Sequence, residues 1–114
     1  MIDTNFVCLT GRLVQKPELR FTKNGTQVTS FSFTVEHKND NVSFFDCEAW
    51  KGTAELICNN LDKGSQILIT GYLQQDRWEV EGRKRSKVKV VVNRIMFMNA
   101  TKKEEDKQDD DIPF

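Results

Sequence analysis

Apolar and polar residues alternate along most of this chain, and a period of two residues is typical of β-strands with one buried face. The alternation is clearest in VTSFSFTVEH, residues 28–37, where Phe31, Phe33 and Val35 share one face. Serine and threonine side chains occupy the opposite face of that segment. Four further segments repeat the pattern: residues 5–13, 43–50, 65–73 and 86–98. The sequence therefore predicts five strands.

One segment, TAELICNNLDKG at residues 53–64, has the spacing of an amphipathic helix. Thr53 can cap its first turn, and Gly64 can end it. Its apolar face consists of Ala54, Ile57, Cys58 and Leu61. A helix between the third and fourth of five strands is the element order of the OB-fold, a Greek-key barrel that commonly binds oligonucleotides. The expected fold is therefore an all-β OB-fold barrel of five strands with one helix.

Two glycine positions predict local features of this barrel. Asn24-Gly25 tolerates the positive φ of a hairpin turn. Gly11 lies inside the first predicted strand, where an isolated glycine often marks a β-bulge or a bend.

Opposite charges are segregated along the chain, although the formal net charge is zero. Residues 1–103 contain 16 Lys and Arg against 11 Asp and Glu, a balance of +5. Residues 104–114 contain one lysine against six carboxylates, a balance of −5, with few apolar residues and no periodicity. We therefore expect a basic domain at residues 1–100, a short charged linker at 101–108, and a disordered acidic tail with its tip at 109–114.

The sequence lacks the features of a membrane or secreted protein. No run approaches the roughly 18 apolar residues of a membrane span, and the start lacks the cationic head and apolar run of a signal peptide. We therefore expect a cytoplasmic protein. Cys8, Cys47 and Cys58 are odd in number and far apart, and His37 is the only histidine. Reduced, largely buried thiols are expected, with neither a metal site nor a cofactor.

Residue combinations typical of catalysis are not recognisable. An active site usually shows a nucleophile beside a base, paired carboxylates in a cleft, or a metal cluster. We therefore predict that the chain is not an enzyme. One alternative, an OB-fold nuclease, would need a carboxylate cluster, and incubating DNA with Mg²⁺ or Ca²⁺ would reveal its activity.

Aromatic residues on the third predicted strand indicate a binding surface. Phe44, Asp46, Glu48 and Trp50 share one face, while the other face is apolar. An exposed ring can stack on any base, and such stacking contributes roughly 1–3 kcal/mol per base. The two carboxylates argue against this interpretation because they would repel phosphates. The alternative is an ordinary half-exposed strand.

A second aromatic residue, Trp78, lies in the segment DRWEVEGRKRSK. Six cations surround it within residues 77–89: Arg77, Arg83, Lys84, Arg85, Lys87 and Lys89. Such a hairpin can stack bases and bind phosphates. The alternatives are a hydrophobic clip over the barrel and a solvated hairpin without a binding role.

Six segments match a known protein family: VCLTGRL, KPELRFTKNGTQVTSFSF, AWKGTAELICNNLDKGSQILITGYL, RWEVEG, KVVVN and the terminal DDDIPF. Through them the chain resembles the bacterial-type single-stranded DNA-binding proteins over almost its whole length. The resemblance implies a homotetramer of OB-folds, nucleoid-associated, that binds and protects single-stranded DNA of any sequence during replication, recombination and repair.

The resemblance also implies roles for individual residues. Phe44, Trp50 and Trp78 match the stacking aromatics of the family. Cations beside those positions match Arg77 and Lys63, and Lys51 is one residue from such a position. With the hairpin cations, the predicted phosphate contacts are Lys51, Lys63, Arg77, Arg83, Lys84, Arg85 and Lys87.

Three departures from the family pattern affect these expectations. The hairpin EHKNDNVS lacks the stacking Trp of well-known members, and His37 is a partial substitute. Asp46 stands where a basic residue is common. The linker has only about ten charged residues, which resembles phage, plasmid or accessory versions of the family.

The tip DDDIPF combines three carboxylates with an apolar end. The resemblance implies that it recruits replication, recombination and repair proteins. Phe114 would enter an apolar pocket on the partner, and the carboxylates would face a basic ridge. The full tip is Asp109, Asp110, Asp111, Ile112, Pro113 and Phe114. The alternatives are a solubilising tail, an adaptor whose main function is the tail, and RNA as the ligand, since stacking scarcely distinguishes the two sugars.

Overall fold

The computed structural model describes residues 2–98, and the predicted linker and acidic tip lie outside the described residues. Within residues 2–98, the elements are six strands, one α-helix and one 3₁₀ turn at Lys38–Asp40. They are β1 (Val7–Leu13), β2 (Arg20–Phe21), β3 (Gln27–Glu36), β4 (Val42–Trp50), α1 (Lys51–Asn60), β5 (Gln66–Val80) and β6 (Arg83–Phe97). No helix in this part of the chain is long and apolar enough to cross a membrane.

The strands close into a barrel. Their order in the sheet is β1-β5-β6-β4-β3-β2, and β1 also pairs with β3 at Arg12 and Leu13. The neighbours are antiparallel except for β4 and β6, which run parallel. A barrel of five long strands with the helix between the third and fourth of them confirms the predicted OB-fold. The sixth strand, β2, is a two-residue addition to the prediction.

The core lies inside the barrel, on the faces that the alternation predicts. Phe31, Phe33, Cys47 and Ala49 are buried there, and α1 closes one end with Ile57. Phe31 and Phe33 contact each other edge to face, with ring centroids 6.4 Å apart. Burying an apolar side chain of this kind stabilises the fold by roughly 1.5–3 kcal/mol.

Of the two features predicted at Gly11, a β-bulge or a bend, the structure shows a bend with a close backbone approach. The β1–β5 register passes through Gly11 without interruption. A Cβ atom at this position would lie 1.9 Å from the backbone oxygen of Thr34 on β3. Glycine is therefore needed where β1 turns from β5 towards β3. The predicted strand also begins later than expected, at Val7, because the side chain of Asn5 bonds to the backbone of Leu73.

The predicted bounds of the helix, residues 53–64, are wrong at both ends. α1 starts at Lys51, directly after the last residue of β4, so Trp50 and not Thr53 occupies the N-cap position. It ends at Asn60, and Leu61 is already extended. Gly64 instead has a φ of 84° in the turn that follows. Of the predicted inner residues, Ala54, Ile57 and Leu61 are buried in the core, although Leu61 lies just after the helix, and Cys58 is partly buried.

The last two strands differ from their predicted bounds, 65–73 and 86–98: β5 runs on to Val80, and β6 already begins at Arg83. β5 and β6 form a 15-residue antiparallel pair joined by the turn Glu81-Gly82, and both turn residues have positive φ, which suits a two-residue hairpin. The pair therefore projects from the barrel as an arm. At the predicted hairpin turn Asn24-Gly25, Gly25 has a φ of 83°, as expected.

The three cysteines are free thiols, but the expectation that they are largely buried is wrong for one of them. Cys47 is buried and Cys58 is partly buried, whereas Cys8 is exposed on β1. Desolvation raises the pKa of Cys47 to about 12, with a smaller contribution from the nearby charge of Asp46.

Candidate nucleic-acid interface

The outer face of β4 carries the predicted aromatic and acidic residues. Phe45, Cys47 and Ala49 point into the barrel, so the alternate residues of the strand face outwards. Phe44 is 68% exposed and Trp50 is 38% exposed. Two aromatic rings are thus accessible on one strand surface, where a base could stack on them.

A chain of polar contacts connects β4 with β6 and β5. The indole Nε1 of Trp50 donates a hydrogen bond to Glu48 Oε1 at 3.0 Å. The same Glu48 oxygen lies 2.8 Å from Lys89 Nζ on β6, and Lys89 Nζ lies 3.0 Å from Asp76 Oδ2 on β5. The outer faces of the three strands therefore form one surface, and the edge of the Trp50 ring is held by a fixed acceptor.

Trp78 lies on this surface as well. It follows Asp76 by two residues on β5, so both side chains are on the same face of the strand. Trp78 is 47% exposed and pairs in register with Arg85 on β6. The structure therefore places all three predicted stacking residues, Phe44, Trp50 and Trp78, on one continuous outer surface.

The two carboxylates of β4 are paired with lysines of β6. Asp46 Oδ2 lies 3.0 Å from Lys87 Nζ, and Glu48 is bound to Lys89. Their negative charges are therefore compensated within the sheet. The repulsion of phosphates that the sequence suggested is weakened, and Lys87, a predicted phosphate contact, is engaged by Asp46.

Lys89 and Asp76 favour each other's charged forms. The hydrogen bond to Glu48 raises the pKa of Lys89, although partial burial opposes this effect. The hydrogen bond donated by Lys89 lowers the pKa of Asp76, and Gln74 contributes in the same direction. Because the pKa of Asp76 is lowered in the folded chain, its charged carboxylate stabilises the fold at pH values above the ordinary pKa of aspartate. This contribution is lost as the pH falls through the lowered pKa. Asp76 and Lys89 are therefore both charged at neutral pH.

A groove of about 520 Å³ lies beside these ion pairs, between the outer sheet surface and the segment that precedes β2. Lys16 from that segment and Arg20 at the start of β2 line it, and neither is among the phosphate contacts predicted from the sequence. Arg20 Nη2 donates a hydrogen bond to Ser30 Oγ at 3.0 Å, which fixes its side chain across β3. The charged lining residues are Lys16, Arg20, Lys87 and Lys89 against Glu18, Asp46, Glu48 and Asp76.

A second depression, of about 530 Å³, lies on the β5–β6 arm around Trp78. It brings together three of the predicted phosphate contacts, Arg77, Lys84 and Arg85, with Glu79 as its single carboxylate. Within residues 2–98 none of these three cations forms an ion pair. Arg85 pairs in register with Trp78 and shares its face of the arm, whereas Arg77 and Lys84 project from the opposite face. All three are available to bind phosphates, and Arg85 lies beside the accessible ring.

The remaining predicted contacts are exposed but line neither depression. Arg83 lies next to the arm's turn, and Lys63 lies in the turn after α1. Lys51 begins α1 with a φ of 55°, a left-handed conformation that is unfavourable for a side chain. Its position follows Trp50 directly and is set by this sharp strand-to-helix junction. His37, the proposed partial substitute for a stacking ring, hydrogen-bonds Ser43 at 2.7 Å.

One further aromatic residue, Tyr72, is on the same face of β5 as Trp78. It pairs in register with Val91, which in turn pairs with Glu48. Tyr72 is partly exposed and therefore belongs to the candidate surface. Counting back from Trp78 in steps of two could have found it. Among residues 2–98, no group of three or more His, Cys, Asp or Glu residues is placed to hold a metal ion.

Comparison with known protein sequences identifies the family of this chain. Residues 4–98 match the model of the Single-strand binding protein family. The chain belongs to this family. A protein of Treponema pallidum (strain Nichols) named single-stranded DNA-binding protein is 35% identical over 107 residues, which is 88% of this chain and 61% of the relative. A Nostoc protein named single-stranded DNA-binding protein 2 is 37% identical over 105 residues, or 89% of this chain and 83% of the relative.

A third member of the family, the single-stranded DNA-binding protein of Borreliella burgdorferi, is 32% identical over 121 residues and covers 98% of this chain and 81% of the relative. The chain thus spans less than two thirds of the Treponema relative but most of the other two. Membership of a family of binding proteins confirms the resemblance and the prediction that the chain is not an enzyme.

Proposed function

We propose that this chain binds and protects single-stranded DNA of any sequence by stacking bases on its outer rings and neutralising phosphates with its cations. The observation that carries the proposal is the placement of Phe44, Trp50 and Trp78 on one surface, each at least 38% exposed. The names of the relatives support the choice of ligand.

The geometry favours unpaired over paired strands. A ring can stack only on a base whose face is free, and the bases of a duplex already stack on each other. Since every base has a π-face, such stacking tolerates all sequences. Arg85, which forms no ion pair within residues 2–98, shares a face of the arm with Trp78, so a phosphate can be bound where a base is stacked. Arg77 and Lys84 add positive charge on the opposite face of the same arm.

Fluorescence anisotropy of labelled oligonucleotides tests the proposal. We expect tight binding of single strands of mixed sequence, competition by unlabelled single strands, and much weaker competition by a duplex of the same length. The logarithm of affinity should fall with the logarithm of salt, with a slope of about −0.7 per phosphate contacted. Equal affinity for duplex and single strand, or affinity independent of salt, would reject the proposal. A parallel titration with RNA tests the alternative ligand.

We also propose that four copies assemble. Residues 7–11 of β1 pair only with β5 within the described part of the chain, so one edge of the strand is open to pairing. Phe6, Met96 and Phe97 expose large apolar side chains in or beside β1 and β6. Light scattering after gel filtration should give four times the 13.2 kDa chain mass. Phe6→Asp should reduce assembly, with Ile2→Asp as the matched control, and a monomeric parent chain would contradict the proposal.

The tip at residues 109–114 is proposed to recruit replication, recombination and repair proteins. The support is its sequence, because aspartates alone suffice for solubility and do not explain Ile112 and Phe114. Deleting residues 112–114 should abolish pull-down of partner helicases or nucleases while DNA affinity is unchanged or higher. An Asp109→Asn variant, which keeps the apolar end, is the control and should retain part of the interaction. Unchanged pull-down after the deletion would reject this role.

The adaptor alternative gives the tip the main function. It predicts that a variant without the tip loses function in cells while a variant without Trp50 and Trp78 retains it. The DNA-binding proposal predicts that both variants lose function. Complementation of a strain that depends on the protein separates the two.

A further inference from the structure

The groove beside the predicted stacking residues has no net charge. Four cations and four carboxylates line it, so the total is zero. The arm depression, in contrast, has three cations against one carboxylate. A strand running from Phe44 to Trp78 would pass the groove, where ion pairs already occupy Lys87 and Lys89. These two lysines therefore need a rearrangement before they can bind phosphates.

The two ion-paired lysines of the groove, Lys87 and Lys89, differ in how firmly they are held. Lys89 has a side chain only 17% exposed and is bound by two carboxylates, Glu48 and Asp76. Lys87 is bound by Asp46 alone, and the two side chains are 56% and 52% exposed. An exposed ion pair contributes little to stability, typically no more than about 1 kcal/mol. The Lys87–Asp46 pair is thus the one that an incoming anion can open.

We propose that Asp46 is an intramolecular counterion of Lys87, and that a phosphate of the bound strand displaces it. The inference rests on the proposed function, because it assigns a regulatory contact to the same DNA-binding surface. Asp46 lowers the affinity for single-stranded DNA, since each phosphate that binds Lys87 sets one carboxylate free in the groove. It also makes binding less dependent on salt, because one ion pair is exchanged for another.

The substitution Asp46→Asn removes the counterion and keeps the size of the side chain. We expect the log–log salt slope to become steeper by about 0.7, the value for one phosphate contact on a single strand. Over a twentyfold change in salt, from about 1 M to about 50 mM, this difference amounts to about eightfold tighter binding at the lower concentration. Anisotropy of labelled oligo(dT) measures both quantities.

The matched control is Glu55→Gln, which makes the same change of net charge on α1, away from the groove. Glu55 accepts a hydrogen bond from Gln27 that a glutamine can also accept. If long-range charge alone mattered, the two variants would bind with equal affinity and equal slopes. A wild-type slope in Asp46→Asn, or an equal change in Glu55→Gln, would therefore overturn the inference.

The double variant Asp46→Asn/Lys87→Gln identifies the cation responsible. We expect its salt slope to return to the wild-type value, because the lysine that the single variant frees for a phosphate is now absent. A double variant as salt-sensitive as Asp46→Asn would overturn the inference. These outcomes differ from failure of the proposed function, in which the wild-type chain itself would not bind oligo(dT). Melting temperatures near that of the wild type confirm that each variant is folded.

Discussion

Replacing Trp78 with alanine tests whether the arm acts through its ring. The side chain is 47% exposed on the projecting β5–β6 pair, so only about half of its surface stabilises the fold. A fully buried large side chain contributes roughly 1.5–3 kcal/mol, so we expect a loss of only about 1 kcal/mol in the free energy of unfolding. Loss of stacking should cost about 1–3 kcal/mol in binding. At about 1.4 kcal/mol per factor of ten, the affinity should fall about five- to 150-fold.

The salt slope distinguishes stacking from charge in the same experiment. Arg77, Lys84 and Arg85 remain in the Trp78→Ala variant, so the slope measured by anisotropy should equal that of the wild type. Trp78→Phe retains an aromatic ring and should recover most of the affinity. An unchanged affinity in the alanine variant would refute the reasoning. So would a loss of affinity that disappears at high salt, because the ring would then act only by positioning the cations.

Two further predictions concern the barrel itself. Gly71→Ala should destabilise the fold by about 3 kcal/mol or more, because the new Cβ would lie 1.9 Å from the backbone oxygen of Val91. Thermal melting measures this loss. The control is Gly52→Ala, whose new Cβ would meet no atom within 4 Å. Equal melting temperatures would contradict this packing. Exposed Cys8 should react with iodoacetamide at about pH 8, whereas buried Cys47 should react only after unfolding. The pKa of Cys47, about 12, reduces its thiolate fraction to roughly a thousandth of that of an ordinary thiol. Mass spectrometry locates the label, and alkylation of Cys47 in the native protein would contradict its burial.

The strands of the barrel could be predicted because burial on one side imposes a period of two on the sequence. The inner residues Phe31, Phe33 and Cys47 follow that period, and the structure buries all three. The arm could not be delimited in this way, because both of its faces reach solvent and polar residues occupy both. The sequence pattern ends one strand at residue 73 and begins the next at residue 86. In the structure, the strands instead continue to the turn Glu81-Gly82.

The start of the helix depends on a backbone conformation that the sequence does not signal. Lys51 adopts positive φ, for which glycine is the usual residue, so the chain enters the helix two residues before the predicted cap, Thr53. The helix then begins without any residue between it and β4. The packing of the strand end against the helix determines this junction, and no local pattern of residues reveals it.

The aromatic residues of the candidate site could be predicted, but the electrostatics around them could not. Glu48, Asp76 and Lys89 come from three different strands, and only the register of those strands brings them together. Sequence alone showed two carboxylates beside Phe44 and Trp50, and these argued against phosphate binding. The pairing across β4, β5 and β6 places the same carboxylates in an ion-paired network, and its Glu48 also holds the indole of Trp50.

The most direct test of the central claim is fluorescence of single-tryptophan variants during titration with poly(dT). The chain contains only two tryptophans, so Trp50→Phe leaves Trp78 as the reporter and Trp78→Phe leaves Trp50. Because both indoles lie on the surface proposed to stack bases, we predict that each reporter is strongly quenched and that quenching saturates at the same DNA ratio. Binding detected by anisotropy with neither reporter quenched would show that the strand lies elsewhere, and would contradict the account.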